Sequence, residues 1–381
     1  MKKTLAVLAL VLALSGAAFA AEGPIKIGCL AALTGDDAQS GITEVNMAKI
    51  FLAEANAAGG ILGRQLELIP YDTKSRNEDA VNAVRRMIKN DGVCVIIGSN
   101  TSGINIATAP IVNNGQVPQI ATVATNPLVT VDNKGAVRPY SFRICFTDPY
   151  QGALGAELAY NDLGKKKAAI LYNVGSEYAH GLREYFIKDY TKLGGEIVAD
   201  EGFRGTDVDF RAQLTTIKDS GADVLFLPGM PKDMALAIKQ AQELGLDVTI
   251  IGGDGFSDVM FEIAGDSMKG TYWITHTYME DPAMAEIFAR YKEVYNDECK
   301  EFVNGTMSFD ALLWVMDAIR RAGVAEGPAI AKALEETKDL KLNHASLTLD
   351  PATHNPLNKA GNILKVGDDL RTAFYKKVEP K

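Results

Sequence analysis

The sequence has few of the residues that build metal and redox sites. Its 381 residues include 4 cysteines and 4 histidines. No histidine lies four residues from another histidine or next to a cysteine, and the four are His180, His276, His344 and His354. Zinc sites usually use closely spaced ligands. We therefore expect no metal site and no bound cofactor.

Cysteine is too sparse to form a disulfide framework. Cys29, Cys94 and Cys145 each lie in an apolar, strand-like run, where a buried free thiol is the plainest interpretation. A disulfide between Cys29 and Cys94 is the alternative, because both are expected on strands of one sheet. Spacing alone does not decide between the two.

Three enzyme signatures are also absent. The sequence has no Gly-x-Gly-x-x-Gly after a strand, no Walker phosphate loop and no Gly-x-Ser-x-Gly elbow. These absences argue against a nucleotide-binding enzyme and against an α/β-hydrolase. A serine hydrolase that uses Ser102 or Ser176 with His180 stays open as an alternative, because catalytic triads assemble in space.

Positive charge is scarce as well. Lys and Arg number 39 against 48 Asp and Glu, so the net charge is −9, which becomes −11 without Lys2 and Lys3. Nucleic-acid binding needs a basic face. We therefore expect no nucleic-acid partner.

One long apolar run exists, and it lies at the N-terminus. Lys2 and Lys3 precede an apolar stretch over residues 4–14, and Ala18-Phe19-Ala20 is a small-x-small cleavage site. The run is shorter than the roughly 20 residues of a membrane span. Residues 1–20 are predicted to be a signal peptide that is cleaved after Ala20, so the mature protein is expected to be exported. An uncleaved anchor is the alternative.

The remaining chain, about 360 residues, exceeds one comfortable core and predicts two domains. Short apolar strands alternate with helical patterns, which is typical of α/β domains with parallel sheets. A helix that stops at Gly-Gly and leads into a strand occurs twice, at Gly59-Gly60 and Gly194-Gly195, and suggests two similar lobes. Residues 358–378 instead predict an antiparallel hairpin. The main helices are predicted at 43–58, 77–90, 150–163, 180–193, 210–220, 232–244, 282–295, 308–322 and 327–336.

The segment 93–127, VCVIIGSNTSGINIATAPIVNNGQVPQIATVATNP, contains two predicted strands that each end in a hydroxyl-rich turn. In an open parallel sheet such turns line one crevice, where ligands bind. Hydroxyl groups and backbone N–H groups near helix N-termini suit a small anion. We therefore expect Ser102 and Thr125 to hold a carboxylate.

Polar residues follow predicted strands in both halves. In order, they are Ser40, Ser102, Thr125, Tyr178, Met230 and Asp254. Hydroxyls suit a carboxylate and an aspartate suits an ammonium group, so the set predicts a site for a zwitterion between two lobes. Taken alone, each Ser or Thr is more often a helix cap, and Asp254 is more often a turn residue.

Several motifs resemble a known family. They are IKIGCLAALTG, AGGILGRQLEL, GSNTSG, ATVATNP, GSEYAHGL and GGDG. Together they resemble the type I periplasmic solute-binding proteins of ABC transporters, in the leucine/isoleucine/valine-binding branch. The resemblance implies two Rossmann-like lobes with mostly parallel central sheets, joined by a three-strand hinge. It implies a non-enzymatic protein that closes on an amino acid.

The resemblance also assigns roles to single residues. Ser102 and Thr125 would bind the α-carboxylate, with Val123 and Ala124 beside them and the Val123 carbonyl oxygen facing the ammonium group. Asp254 would bind that ammonium.

Other carried-over positions concern the ligand's side chain. Tyr178 would fold over the ligand, and Phe309 would line its side-chain pocket. Ser40 and Met230 replace two pocket tyrosines of the leucine-binding pattern, so the side-chain specificity is expected to be altered. Ser75 and Thr101 occupy the positions of that branch's disulfide.

The resemblance implies lobes that are discontinuous in sequence. Lobe 1 is expected to comprise residues 21–144 and 276–349, and lobe 2 residues 145–275 and 350–381. The expected partners are an amino acid and the membrane permease of an ABC transporter, and the protein is expected to be a monomer. A same-fold protein for an aromatic acid, and a sensor input module, are the alternatives.

Overall fold

The computed structural model describes residues 23–343 and 345–380. The predicted signal peptide and His344 lie outside the described residues. Eleven α-helices occur in the described part of the chain: α1 (Ala38–Ala57), α2 (Asn77–Arg86), α3 (Ser102–Gly115), α4 (Asp148–Glu157), α5 (Glu177–Lys192), α6 (Arg211–Asp219), α7 (Pro231–Glu243), α8 (Met260–Ala264), α9 (Ala285–Tyr295), α10 (Phe302–Ala322) and α11 (Gly327–Glu335). Short π-helical turns, Met87–Asp91 and Leu158–Asp162, continue α2 and α4.

The first sheet is entirely parallel and has the strand order β2-β1-β3-β4-β5. Its strands are β1 (Ile25–Ala31), β2 (Leu66–Asp72), β3 (Val95–Gly98), β4 (Gln119–Ala121) and β5 (Ser141–Arg143). Every residue of β3 and β4 is buried. Such fully buried strands are expected where helices cover both faces of a parallel sheet.

The second sheet is mixed and has the order β16-β15-β10-β9-β8-β6-β7. Its strands are β6 (Lys167–Asn173), β7 (Glu196–Phe203), β8 (Val224–Leu227), β9 (Thr249–Gly252), β10 (Tyr272–Thr275), β15 (Gly361–Val366) and β16 (Thr372–Val378). The strands from β7 to β10 are parallel, whereas β15 and β16 form an antiparallel hairpin beside β10. The predicted two-lobe α/β fold, with two similar sheets and a C-terminal hairpin, is confirmed.

Local sequence explains where α1 ends and how closely it packs. Gly59 and Gly60 adopt positive φ values of 101° and 74°, and the Gly60 N–H donates to the Ala55 carbonyl at 2.8 Å. Glycine is favoured at such helix ends because it lacks a Cβ. Near the start of α1, a Cβ on Gly41 would lie 2.0 Å from the Ala32 carbonyl oxygen. Gly41 thus lets α1 pass directly over the end of β1.

Five helices begin earlier than predicted, and three of them do so by three residues or more. α1 begins at residue 38 instead of 43, α5 at 177 instead of 180, and α10 at 302 instead of 308. The first turns of α1 and α5 contain small or polar residues, so their apolar period starts late. As a result Ser40 and Tyr178 lie on helices and not in loops.

Helices α9 to α11 return to the first sheet. Ser308 Oγ on α10 donates to the Glu44 carbonyl on α1 at 3.0 Å, and Asn46 Nδ2 on α1 donates to the Tyr291 hydroxyl on α9 at 3.3 Å. Two small antiparallel ribbons follow, with strands β11 (Leu340–Lys341), β12 (Ser346–Leu347), β13 (Leu349–Asp350) and β14 (Asn355–Pro356). Helix α8 and these ribbons were not predicted.

The contacts of His354 concern the third predicted lobe boundary, which stays a prediction. His354 lies between β13 and β14, and its Nδ1 is 3.0 Å from the Ser141 carbonyl oxygen of β5. Its ring also stacks on Phe142 with centroids 4.2 Å apart. Residues 350–356, expected in lobe 2, therefore lie against the first sheet. We propose that the third crossing lies in residues 357–361 and keep the other boundaries as predictions.

All four cysteines are buried free thiols. The Cys29–Cys94 disulfide is not formed, because β1 pairs Cys29 with Ile97 and so places Cys94 about three residues away along the sheet. Strand spacing puts that separation beyond the roughly 7 Å limit for bridged Cα atoms. Burial raises the pKa of Cys94 and Cys145 to about 12, which keeps both thiols protonated. Within residues 23–343 and 345–380, every helix is too short or too polar to cross a membrane.

Candidate functional site

A cavity of about 320 Å³ lies between the two sheets. Its walls come from the segments after β1, β3 and β4 of the first sheet, and after β6, β8 and β9 of the second. Both sheets reverse their strand order there, at β1/β3 and at β6/β8. Ligands of open α/β sheets bind at such switch points, and the volume falls in the usual range for small-molecule sites, about 300–1,000 Å³.

The first wall is centred on the N-terminus of α3. Ser102 is its first residue, and the Ser102 Oγ accepts a hydrogen bond of 3.2 Å from the Asn126 backbone N–H. Thr101, Gly103 and Val123 line the cavity beside it. The first N–H groups of a helix have no partner within the helix and carry partial positive charge. This wall can therefore receive a carboxylate.

Two predicted residues lie behind this wall. Ala124 and Thr125 are buried and do not line the cavity. The Ala124 carbonyl accepts from Arg143 Nη1 at 2.9 Å, and the Thr125 carbonyl accepts from the Asp148 backbone N–H at 2.9 Å. Burial lowers the pKa of Arg143 and raises that of Asp148 to about 8. These residues support the Ser102 wall from the inside.

The opposite wall carries Asp254 and Tyr178. Asp254 Oδ1 accepts from Gln151 Nε2 at 3.0 Å, and Asp254 Oδ2 lies 3.0 Å from His276 Nε2. The Tyr178 hydroxyl accepts from the Gly255 N–H at 3.4 Å. Burial, together with the nearby carboxyl groups, raises the pKa of Tyr178 well above its ordinary value, so it stays a neutral hydroxyl. This wall offers a held carboxylate to a ligand's positive group.

Ser40 and Met230 also line the cavity, one from each side. Met230 precedes α7 and is half-buried. Phe309, in contrast, does not line the cavity and packs edge-on against Phe51, with ring centroids 4.9 Å apart. The structure therefore brings together Ser40, Ser102, Val123, Tyr178, Met230 and Asp254, while Ala124, Thr125 and Phe309 lie outside the cavity surface.

The sequence reasoning missed a buried carboxyl group, Glu301, that precedes α10 and lines the cavity. Its Oε2 accepts from Ser40 Oγ at 3.2 Å and from Asn304 Nδ2 at 3.1 Å. Its Oε1 accepts from Ser257 Oγ. Burial is the main cause that raises the pKa of Glu301 to about 7, with a further contribution from the nearby Asp37 carboxyl. No predicted strand ends just before Glu301, so a search for polar residues at the ends of strands could not find it.

Asp37 is a second missed residue, and it follows β1. Its Oδ2 accepts from Asn100 Nδ2 at 2.5 Å. Burial raises the pKa of Asp37 to about 6. Asp37 follows β1 as Ser102 follows β3, so the same search for polar residues after strands could have found it.

Two further contacts, besides the Ser257–Glu301 hydrogen bond, join the walls across the cavity. Lys232 Nζ of α7 lies 3.0 Å from Asp36 Oδ1, after β1. Asn126 Nδ2 of the first wall donates to the Glu177 carbonyl of α5 at 2.8 Å. Any motion that separates the two sheets breaks both contacts.

The serine hydrolase alternative has no geometric support. Ser176 Oγ caps α5 by accepting from the Ala179 N–H at 3.2 Å, and exposed His180 faces Glu184 at 3.6 Å. Neither Ser176 nor Ser102 contacts His180 through a hydrogen bond among the described residues. Within that same part of the chain, no group of three His, Cys, Asp or Glu side chains is arranged to hold a metal ion.

Comparison with known proteins decides the family. The sequence model of the periplasmic binding protein family matches residues 24–369. The chain belongs to this family. This periplasmic binding protein is therefore a solute-binding, non-enzymatic component of ABC transport, as the sequence predicted.

Relatives of this periplasmic binding protein fall in the Leu/Ile/Val-binding group. The Leu/Ile/Val-binding protein BraC3 of Rhizobium johnstonii is 30% identical over 323 residues, 84% of this chain and 86% of the relative. The leucine-binding protein LivK of Thermotoga maritima is 30% identical, with a TM-score of 0.86, and the match covers 93% of this chain and 99% of that one. LivJ of Streptococcus pneumoniae, solved with isoleucine, is 29% identical, with a TM-score of 0.85 and coverage of 94% and 100%.

The fold is shared with a protein crystallised with an aromatic acid. A solute-binding protein of Rhodopseudomonas palustris BisB5, in complex with 3,4-dihydroxybenzoic acid, is 23% identical, with a TM-score of 0.83 and coverage of 94% and 98%. At this identity the likeness concerns the fold alone.

Proposed function

We propose that this periplasmic binding protein binds a free amino acid as a zwitterion in the cavity between its lobes. Ser102 and the first turn of α3 receive the α-carboxylate. Asp254, assisted by Tyr178, receives the α-ammonium group. The observation that carries the proposal is the position of an anion-binding helix end and a buried aspartate on opposite walls of one cavity.

Closure of the lobes completes the site in this proposal. The ligand docks on the first wall through Ser102, and the second lobe then brings Tyr178 and Asp254 into contact. Removing a zwitterion from water is tolerable only where both charges are paired. The mature protein, which begins after Ala20, acts in the periplasm as a monomer and presents the closed form to the membrane permease.

The two cavity walls and the relatives together support a free amino acid as the ligand class. LivJ of Streptococcus pneumoniae was solved with isoleucine, so an amino acid is the first candidate. An aromatic acid brings no ammonium group, so the buried Asp254 carboxyl would keep only its protein partners, Gln151 and His276, and would gain nothing from the ligand.

Isothermal titration calorimetry of the mature protein tests the proposal. The titrants are the standard amino acids, benzoate and 3,4-dihydroxybenzoate, and we expect at least one amino acid to bind and the two acids not to bind. Asp254→Asn should weaken that binding by about thirty-fold or more, since it removes one partner of a buried charge pair. Binding of an aromatic acid alone, or full affinity in Asp254→Asn, would reject the zwitterion site. A sensor input module would bind in the same way, and a transport assay with a deletion strain separates the two roles.

A further inference from the structure

Four residues of the cavity lining take no part in the α-amino and α-carboxylate contacts proposed above. They are Asp37, Ser40, Glu301 and Asn304, and we name this part of the lining the acidic end. Building on the proposed function, we propose that the acidic end binds a positively charged side chain, so that the ligand is a basic amino acid and not a branched-chain one.

Unsatisfied acceptors at the acidic end point to a missing donor. Asp37 is 7% exposed and Asn304 8% exposed. Asp37 Oδ1 and Asn304 Oδ1 are both buried without a hydrogen-bond partner. Unpaired buried acceptors are costly, and native proteins rarely leave them without a ligand or water.

The hydrogen bonds already present explain why these acceptor oxygens have no partner within the protein. Ser40 has one hydroxyl proton, and it is donated to Glu301 Oε2. Asn304 also donates to Glu301 Oε2 through its Nδ2, so its Oδ1 remains an acceptor. These donors of the acidic end are therefore already hydrogen-bonded to Glu301. It needs additional N–H groups, which only a ligand or water can bring.

The charge of the cavity wall favours a cation over a neutral donor. Six carboxyl side chains line the cavity: Asp36, Asp37, Glu177, Asp233, Asp254 and Glu301. Among the described residues of this lining, Lys232 is the one basic side chain, and it pairs with exposed Asp36 at the mouth. The carboxyl groups of Asp37 and Glu301 thus have neutral hydrogen-bond partners and no cationic one.

The titration of the two groups agrees with this geometry. Burial raises the pKa of both carboxyl groups, and the nearby Asp37 carboxyl raises the pKa of Glu301 further. A buried carboxylate without a cation is costly, whereas a guanidinium or ammonium group would neutralise it and supply three to five N–H donors, by the general inventory of side chains. A branched aliphatic side chain offers neither charge nor donors.

The first test compares ligands on the unmodified mature protein. Calorimetric titrations use L-arginine, L-lysine and L-ornithine against L-leucine, L-isoleucine and L-glutamine. We expect at least one basic amino acid to bind about thirty-fold or more tightly than leucine, which is the scale of one buried charge pair. Glutamine, which brings donors without charge, should bind more weakly than the basic ligand.

The outcomes separate this inference from the proposed function. Tighter binding of leucine or isoleucine, or equal binding of glutamine, overturns the basic-ligand inference and leaves the amino-acid proposal intact. Absence of binding by every amino acid overturns both.

The second test removes the charges without changing shape. Asp37→Asn and Glu301→Gln should each lower the affinity for the basic ligand by about thirty-fold or more and change the affinity for leucine little. Glu54→Gln is the matched control, because Glu54 lies on the same lobe, is exposed and pairs with Arg290 away from the cavity. Unchanged affinity for the basic ligand in both cavity variants would overturn the inference.

A proton-release measurement does not depend on the folding of any variant. Three other titratable groups lie near Glu301. They are Asp37 in the loop after β1, Glu44 on α1 and Cys299 in the segment that also contains Glu301. A bound cation should favour the ionised carboxylates, so binding near neutral pH should release protons. Titrations in buffers of different ionisation enthalpy measure this release, and proton uptake or no proton exchange would contradict a cation at the acidic end.

Discussion

The carboxylates at the two ends of the cavity differ in how fully their oxygens are hydrogen-bonded. Both oxygens of Asp254 on the second wall have side-chain partners, Gln151 and His276. Asp37, at the acidic end of the first wall, has a partner on one oxygen and none on the other. A carboxylate that is already held in place serves as an anchor for a group common to all amino acids. A carboxylate with an oxygen that lacks a hydrogen-bond partner serves selectivity, because only a ligand with a suitable donor removes the free-energy cost of that buried oxygen.

The largest expected difference between the ends comes from isosteric substitutions. Asp254→Asn should weaken every amino-acid ligand by about 2–5 kcal/mol, because the α-ammonium loses its charged partner. Asp37→Asn should weaken only ligands with a positive side chain. Titrations of both variants with arginine and leucine measure the contrast, and equal losses for both ligands in both variants would remove the distinction between the ends.

A pair of glycine substitutions disturbs each end through the backbone. In Gly41→Ala the new Cβ meets the Ala32 carbonyl oxygen at 2.0 Å, whereas in Gly253→Ala it meets the Tyr178 hydroxyl at 2.4 Å. A side-chain tip can move aside more easily than a strand carbonyl. We expect Gly41→Ala to lower the free energy of unfolding by about 1–3 kcal/mol or more and Gly253→Ala to lower it less. Urea unfolding of both variants checks the order, and the reverse order would show that α1 shifts freely over β1.

The acidic end should also contribute to the pH dependence of stability. The folded-state pKa of Glu301 is about 7, raised by burial from an ordinary value of 4.5. A carboxyl group with a raised pKa contributes stability that is complete below its unfolded pKa and is lost as the pH rises through the folded value. The Asp37, Glu44 and Asp148 carboxyl groups have the same sign.

We therefore expect the melting temperature of the ligand-free protein to fall between about pH 5 and about pH 8. Glu301→Gln should make this fall shallower, because it removes one of the titrating groups. Scanning calorimetry across that range is the measurement. A melting temperature that rises over the same interval would mean that other groups dominate.

The smallest expected effect concerns the contact at the mouth. Lys232→Ala removes the ion pair with Asp36, whose side chains are 49% and 75% exposed. Exposed pairs contribute about 0.2–1 kcal/mol and are screened by salt. Ligand affinity should fall at most about fivefold and only at low ionic strength. A tenfold loss that persists in high salt would place Lys232 in direct contact with the ligand.

Much of the fold follows from local patterns in the sequence. Apolar runs bounded by turns marked the parallel strands, and the alternating tail marked the β15–β16 hairpin. Helix starts were less visible, because the first turn of α1 is Ala-Gln-Ser-Gly and carries no apolar period. The five-residue α8 is too short to show a period at all.

The candidate site could be predicted only in part, for a reason of distance along the chain. Ser40 and Glu301 are 261 residues apart in sequence and meet because α10 packs on α1. A search for polar residues at strand ends finds Ser102, Tyr178 and Asp254, but it cannot predict a contact between residues so far apart in sequence. Thr125 shows the converse limit, since it follows a strand and still lies behind the wall.

The outer strands of both sheets bear on how copies of the protein behave towards one another. An open edge strand is a template for pairing with another chain, and proline or lysine on the edge opposes it. One edge strand of the first sheet is β2, which carries Pro70, and one edge strand of the second is β16, which carries Lys376 and Lys377. Lys376 is further held by Asp162 at 2.8 Å. These edges disfavour sheet-to-sheet aggregation, a useful property for a carrier that must stay dispersed while it shuttles cargo.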